Sequence, residues 1–260
     1  MAGFCFTIPC YVHEPKQLHL VQRCVQSIQR VYPTTPIYII HTKSACVPHL
    51  EITGATVIEN PYPGSSMFGA MYVFYTQNLA NATFVIHDSM VIYRKIDEPL
   101  YETADFRSIF YFEHTYFPEL FTDRYIQWIR QCNITNQEKE EANHDLTHNI
   151  GKTWVANFGP SFYITRQGVE RLHQYCNILD QMTSFSTRDS ICSMEVLLGF
   201  FAFKTGLLTS IQDCSICGEL FTMQRSFDVH QGHLSLEQVL QIPYPYPIYK
   251  SYVGRLGQSS

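Results

Sequence analysis

Phe4-Cys-Phe-Thr-Ile8, Leu18-His-Leu-Val-Gln-Arg-Cys-Val-Gln-Ser-Ile-Gln-Arg-Val-Tyr32 and Ile37-Tyr-Ile-Ile40 are the passage on which the fold turns. The first is a short apolar run closed by Pro9, as a buried strand would be. In the second, Leu20, Val21, Cys24, Val25, Ile28 and Val31 recur at helical spacing, and Pro33 and Pro36 stop the helix. The third is another buried strand. Strand, helix and strand in this order build a parallel sheet covered on both faces.

Further along, the same pattern continues. Residues 55–58 predict a third strand, 83–86 a fourth and 90–93 another, while 67–79 predict a helix behind the turn-rich Asn60-Pro-Tyr-Pro-Gly64. The expected class is α/β, with a mainly parallel central sheet flanked by helices. Ligands in such sheets collect at the carboxyl ends of the strands. The second half is less regular. Residues 106–116 are aromatic and β-prone, 124–131 predict a short helix, and 137–148 a solvated loop or surface helix. Residues 154–164 are strand-like but broken at Gly159-Pro160, and helices are expected over 166–175 and 188–204. The alternation of Pro and Tyr over 242–248 excludes a regular helix or a central strand there. No repeat or composition shift divides the chain, so one domain is expected over 1–260.

Composition narrows the function. The 260 residues are 45% hydrophobic and 16% charged, with a formal net charge of −5, so overall basicity does not hold this chain to nucleic acid. No apolar run approaches the roughly 20 residues of a transmembrane helix, and no secretory signal is recognisable at the start. Nine scattered cysteines among apolar residues suit a reduced, cytoplasmic protein. Cys214-Ser-Ile-Cys217 is a lone CxxC, with His230 and His233 the nearby candidates for a second zinc-ligand pair; two ordinary cysteines are the alternative. No GxGxxG follows the first strand, which argues against a nicotinamide enzyme.

The strongest local signal is Phe84-Val-Ile-His-Asp-Ser-Met-Val-Ile92, in which His87, Asp88 and Ser89 interrupt two apolar runs. An acid delivered by a strand to the carboxyl edge can hold a divalent metal and, through it, a diphosphate. A tight turn between two strands accounts for the same residues. Glu195 has Ile191, Cys192, Leu198 and Gly199 as its helical neighbours, so it lies on an apolar face. A carboxylate there suits a general base, or else a structural group tied to an arginine or the backbone. Asp189 is the second candidate base, or an N-terminal cap. Tyr249-Lys-Ser-Tyr-Val-Gly-Arg255 places Lys250 and Arg255 among aromatics, either as a clamp over a diphosphate or as a solvated basic tail.

Taken together, Thr7-Ile-Pro-Cys-Tyr11, Cys24-Val-Gln-Ser-Ile28 and Tyr32-Pro-Thr-Thr-Pro-Ile-Tyr-Ile-Ile40 resemble the first β-α-β unit of GT-A glycosyltransferases, which have a Rossmann-like fold and use nucleotide-diphosphate sugars. His87-Asp-Ser89 stands where that family carries a DxD motif. Asn157-Phe-Gly-Pro-Ser-Phe-Tyr-Ile-Thr165 resembles the family's acceptor-side strand, and Ser193-Met-Glu-Val-Leu-Leu-Gly199 the helix that presents its catalytic carboxylate. The overall character is similar to glycosyltransferase-like proteins of large DNA viruses and of bacterial polysaccharide clusters. The resemblance implies a nucleotide-binding half over 1–100 and an acceptor-side half with a C-terminal tail over 101–260. It implies transfer of a sugar to a glycan, glycoprotein or other hydroxyl acceptor, with Mn²⁺ or Mg²⁺ as cofactor. By the same resemblance Pro9, Cys10, Tyr11, His41, Gly64, Ser65 and Asp88 bind the donor, and His87, Asp88, His230 and His233 hold the metal. Glu195 or Asp189 is then the base. The chain departs from the family in having one carboxylate where DxD has two, and His41-Thr-Lys-Ser44 where many relatives carry an Asp. These departures leave a catalytically inactive GT-A-like binding or structural protein as the alternative.

Overall fold

The computed structural model describes residues 3–12, 17–44, 47–112, 122–157, 159, 161–185, 187–219 and 233–250. A six-stranded sheet forms the centre. Strands β1 (Phe4–Cys10), β2 (Ile37–His41), β3 (Thr56–Glu59) and β4 (Ala82–Val85) run parallel, with β1 between β2 and β4. Beyond β4, strand β9 (Phe162–Thr165) runs antiparallel, and β6 (Phe106–Ser108) pairs antiparallel with β9. The order is β3-β2-β1-β4-β9-β6. The sheet is mainly parallel and Rossmann-like, as its residues predict.

Alternation along β1 explains the layers. Phe6, Ile8 and Cys10 face helix α1 (Leu18–Val31), packing on Val21, Cys24, Val25 and Ile28. Cys5 faces the other side, where α2 (Ser66–Thr76), α5 (Arg166–Cys176) and α6 (Arg188–Lys204) bury their apolar residues. Thr7 points to that second face as well, and its hydroxyl meets that of Thr83 at 3.0 Å. Helices α3 (Thr122–Arg130) and α4 (Asn136–His148) pack outside α6. Residues 136–148 are a helix, begun by a capping box between Thr135 and Glu138. Among the described residues, no helix is long and apolar enough to cross a membrane.

Two segments depart from the simplest reading of the sequence. Residues 90–93 do not extend the central sheet. Only a short turn separates β5 (Met90–Ile92) from β4, and a parallel return needs a crossover of a dozen residues or more. Instead β5 pairs antiparallel with β10 (Ile248–Lys250), which starts as soon as Pro247 ends the proline-rich stretch. The stretch 154–164 divides at Gly159 into β8 (Ala156–Asn157), paired with β7 (Tyr111–Phe112), and β9. Part of 106–116 lies outside the described residues.

Helix α6 and β8 approach until backbone nearly touches backbone. A Cβ on Gly199 would stand 2.1 Å from the Val155 carbonyl oxygen and 2.9 Å from the Asn157 nitrogen. Neither neighbour is a flexible side-chain end. Gly199→Ala is therefore expected to destabilise by roughly 1–3 kcal/mol through overpacking, although alanine at an ordinary helical site gains about 1 kcal/mol over glycine. A thermal melt should show Tm lower by roughly 3–10 °C; an unchanged or higher Tm would show that the two elements can separate freely.

Candidate functional site

The parallel strands deliver their following loops to one edge. Cys10 pairs with His41, the Thr42 amide donates to the Cys10 carbonyl at 2.9 Å, and the Asn60 amide donates to the His41 carbonyl at 2.9 Å. Residues 87–89 follow β4 at the same edge, and the Cys24 thiol donates to the His87 carbonyl at 3.6 Å. Segments 9–11, 41–44 and 87–89 thus share the carboxyl edge of the sheet.

At that edge four side chains from three elements meet. Residues His87 and Asp88 form the β4–β5 turn, Glu195 comes from the second turn of α6, and Lys250 ends β10 opposite Met90. Gly159 sits among them with φ +54°, in the left-handed region. Its amide donates to Glu195 Oε2 at 3.3 Å. A Cβ there would lie 2.7 Å from Lys250 Nζ and 3.2 Å from His87 Nε2, so glycine keeps the cluster closed and both nitrogens border one small space.

Burial dominates the electrostatics. It raises the Asp88 carboxyl to about 6 against the opposing pull of Lys250 and of the Ser89 backbone. It lowers the Lys250 ammonium to about 8, although Glu195 and Asp88 favour its charge. The His87 imidazole falls well below its usual value, first through burial and then through Lys250, against a hydrogen bond with the Gly159 backbone. Cys10 and Cys24 are pushed up by burial and by the field of Asp88, which places both thiols near that carboxylate.

The other residues singled out in the sequence divide sharply. Tyr11 is 49% exposed at the carboxyl edge, while Pro9 and Cys10 are buried beneath it. His41 is buried, its Nε2 has no hydrogen-bond partner, and burial lowers its basicity. Gly64 is exposed at φ +96°. Ser65 is fully buried and spends its hydroxyl on the Tyr62 carbonyl at 2.7 Å, beside the Asn60 amide at 3.2 Å. Its side chain is part of the loop's framework. Asp189 does not join the cluster or cap its helix: Thr187 is the cap, and Asp189 is an exposed partner of Arg124 at 3.1 Å. His233 is exposed, next to Leu234, whose carbonyl is held by Arg23 at 2.7 Å. His230 and Arg255 lie outside the described residues.

Gly159 and Asn60 were not foreseen as organisers of the site. The sequence marks both only as parts of breaks or turns; Gly159 bonds to Glu195, 36 positions on, and the Asn60 side chain to Thr42, 18 positions back. Asn157 of β8 is fully buried with neither amide atom paired. An open groove of about 480 Å³ beside Leu50, Ile52 and Val57 is unrelated to the cluster. It lies where the chain enters β3, near the end of α1 that carries Gln29, at the opposite edge of the sheet.

As a metal-ligand set the cluster offers the His87 imidazole and the Asp88 carboxylate, and Glu195 does not converge with them as a third ligand. Among the described residues, no three side chains of His, Cys, Asp or Glu gather as ligands, around Cys214 and Cys217 or elsewhere. A divalent ion prefers several hard oxygens, and here an ammonium shares the space with the imidazole. These donors do not fit Mn²⁺ or Mg²⁺ as they stand.

The shifted carboxyl has a thermodynamic consequence. Asp88 binds its proton more tightly when folded (about 6) than when unfolded, so stability from this group is greatest at low pH and is lost as pH rises from about 4 to 6. Asp88→Asn removes that loss. The variant should be more stable than the wild type by about 1–2 kcal/mol above pH 7, a figure discounted for partial exposure. The advantage should vanish near pH 4. Denaturant melts across this range that show no pH-dependent difference would place Asp88 in water rather than in the cluster. In sequence, no protein-family model and no curated protein matches the chain.

Proposed function

We propose that this protein is a glycosyltransferase of the GT-A type, moving a sugar from a nucleotide-diphosphate donor to a hydroxyl of a glycan or other acceptor. The observation that most supports the reading is the gathering of Asp88, His87 and Glu195 at the carboxyl edge of a mainly parallel sheet, with the Tyr11 ring exposed at that edge. An exposed aromatic ring there offers a face on which a nucleotide base can stack. Asp88 is suited to accept hydrogen bonds from ribose hydroxyls. The cytoplasm, of a host cell if the protein is viral, is the compartment we propose on cysteine usage alone.

In this reading Glu195 is the general base of an inverting transfer. The acceptor oxygen forms a bond to the sugar's C1 while the C1–oxygen bond to the diphosphate breaks. The nucleoside diphosphate leaves with the bonding electron pair, and the acceptor proton passes to Glu195. Its bond from the Gly159 amide fixes the position of the carboxylate. A binding protein without catalysis is the second reading, favoured by the ammonium of Lys250 beside both carboxylates, which would also suit a purely structural ion cluster.

The test is release of nucleoside diphosphate from a panel of nucleotide sugars with glycan acceptors. Wild-type protein is expected to turn over at least one donor. Glu195→Gln should lower turnover by about 10²–10⁴-fold, or roughly 3–5.5 kcal/mol of barrier, with donor affinity and Tm nearly unchanged. A large fall in Tm would make Glu195 structural. Turnover intact in a folded variant would remove it as the base, and donor binding without any turnover would favour the second reading.

A further inference from the structure

Lys250 reaches the cluster from the last described strand. Along β10, Ile248 belongs to the core beneath α1, Tyr249 packs with Val91 and Val239 on the opposite side, and Lys250 returns by alternation to the side of Ile248. The pairing of Lys250 with Met90 sets its backbone against the residue that follows the His87-Asp-Ser89 turn. Nζ comes within 2.7 Å of the Cβ position that Gly159 leaves empty, with His87 Nε2 3.2 Å from the same point. A divalent ion on His87 Nε2 and Asp88 would stand against this ammonium, both bearing positive charge.

We infer that the ammonium of Lys250 takes the place a divalent cation would occupy, and binds the diphosphate of a nucleotide ligand directly. The inference rests on the glycosyltransferase reading and specifies the cation of its donor site. An ammonium presents three donors and binds phosphate as a point charge. The carboxylates have the complementary task. Asp88 and Glu195 accept from ribose and acceptor hydroxyls, while Lys250 alone among the four side chains donates a full positive charge to phosphate oxygens. His87, neutral through burial, adds a polar edge without charge. Glycine at 159 is required by this arrangement, since any side chain there would displace the ammonium.

The test titrates the full chain calorimetrically with UDP, GDP, CDP, dTDP and ADP, each in EDTA and again with Mn²⁺. At least one diphosphate is expected to bind in EDTA, with Mn²⁺ changing its Kd less than threefold. Lys250→Met should weaken that binding at least tenfold, Lys250→Arg should recover it to within threefold, and the matching nucleoside should bind both variants alike. A wild-type Kd that improves tenfold or more with Mn²⁺ would overturn the inference and leave the glycosyltransferase reading standing. So would undiminished binding to Lys250→Met in EDTA. Failure of every diphosphate to bind under both conditions would overturn both. The EDTA comparison uses unaltered protein, so the outcome does not depend on Lys250→Met folding.

Discussion

Hydrogen bonding of β1 on both sides is the constraint from which the rest of the molecule follows. Its parallel ladders run from Phe6 opposite Ile37 to Cys10 opposite His41, and from Phe4 opposite Ala82 to Thr7 opposite Val85. A strand so placed is covered above and below, so every side chain along it must be apolar or internally satisfied. Thr7, the one hydroxyl within it, meets Thr83 on the neighbouring strand. Parallel pairing also requires each chain return to cross a face, which sets α1 on one side and α2 on the other. Every loop that leaves a parallel strand then emerges at one edge, and chemistry concentrates there.

The cluster at that edge opposes the stability of the core. A carboxylate raised to about 6 and an ammonium lowered to about 8 are both shifted toward neutrality, so the loss of hydration outweighs their mutual attraction. Such groups persist in a fold only if the surrounding structure holds them. Here the holding elements are the Gly159 amide on Glu195, the backbone pairing of β5 with β10, and the close seat of Gly199 on β8. Perturbed titratable groups of this sort collect at functional sites more often than elsewhere.

The same arithmetic separates the cluster from the surface pairs. Asp189 with Arg124 and Lys43 with Glu59 are well exposed, where ion pairs contribute about 0–1 kcal/mol. Their solvent screens them and leaves them free to reorient. Asp88, Glu195 and Lys250 instead meet at a point held by the Gly159 amide and by the pairing of β5 with β10.

By itself, the sequence determined the periods. An apolar run closed by Pro9 marked β1 and a second one following Pro36 marked β2, the three-to-four spacing from Leu20 to Val31 marked α1, and the polar interruption at His87 to Ser89 located the end of β4. Glu195 was legible because a charged residue breaks an apolar helical face. These features are local, and local periodicity reports which side of an element is buried. Tertiary structure alone decided what lay against each buried side. It turned β9 antiparallel, took β5 out of the central sheet, spent the Ser65 hydroxyl inside a loop and left Asp189 at the surface. Above all it took Lys250 out of the solvated tail and brought it to Asp88, 162 positions earlier in the chain. A lysine next to tyrosines carries no mark of its partner, because the partner is selected by strand pairing between distant segments and by the space that one glycine leaves open.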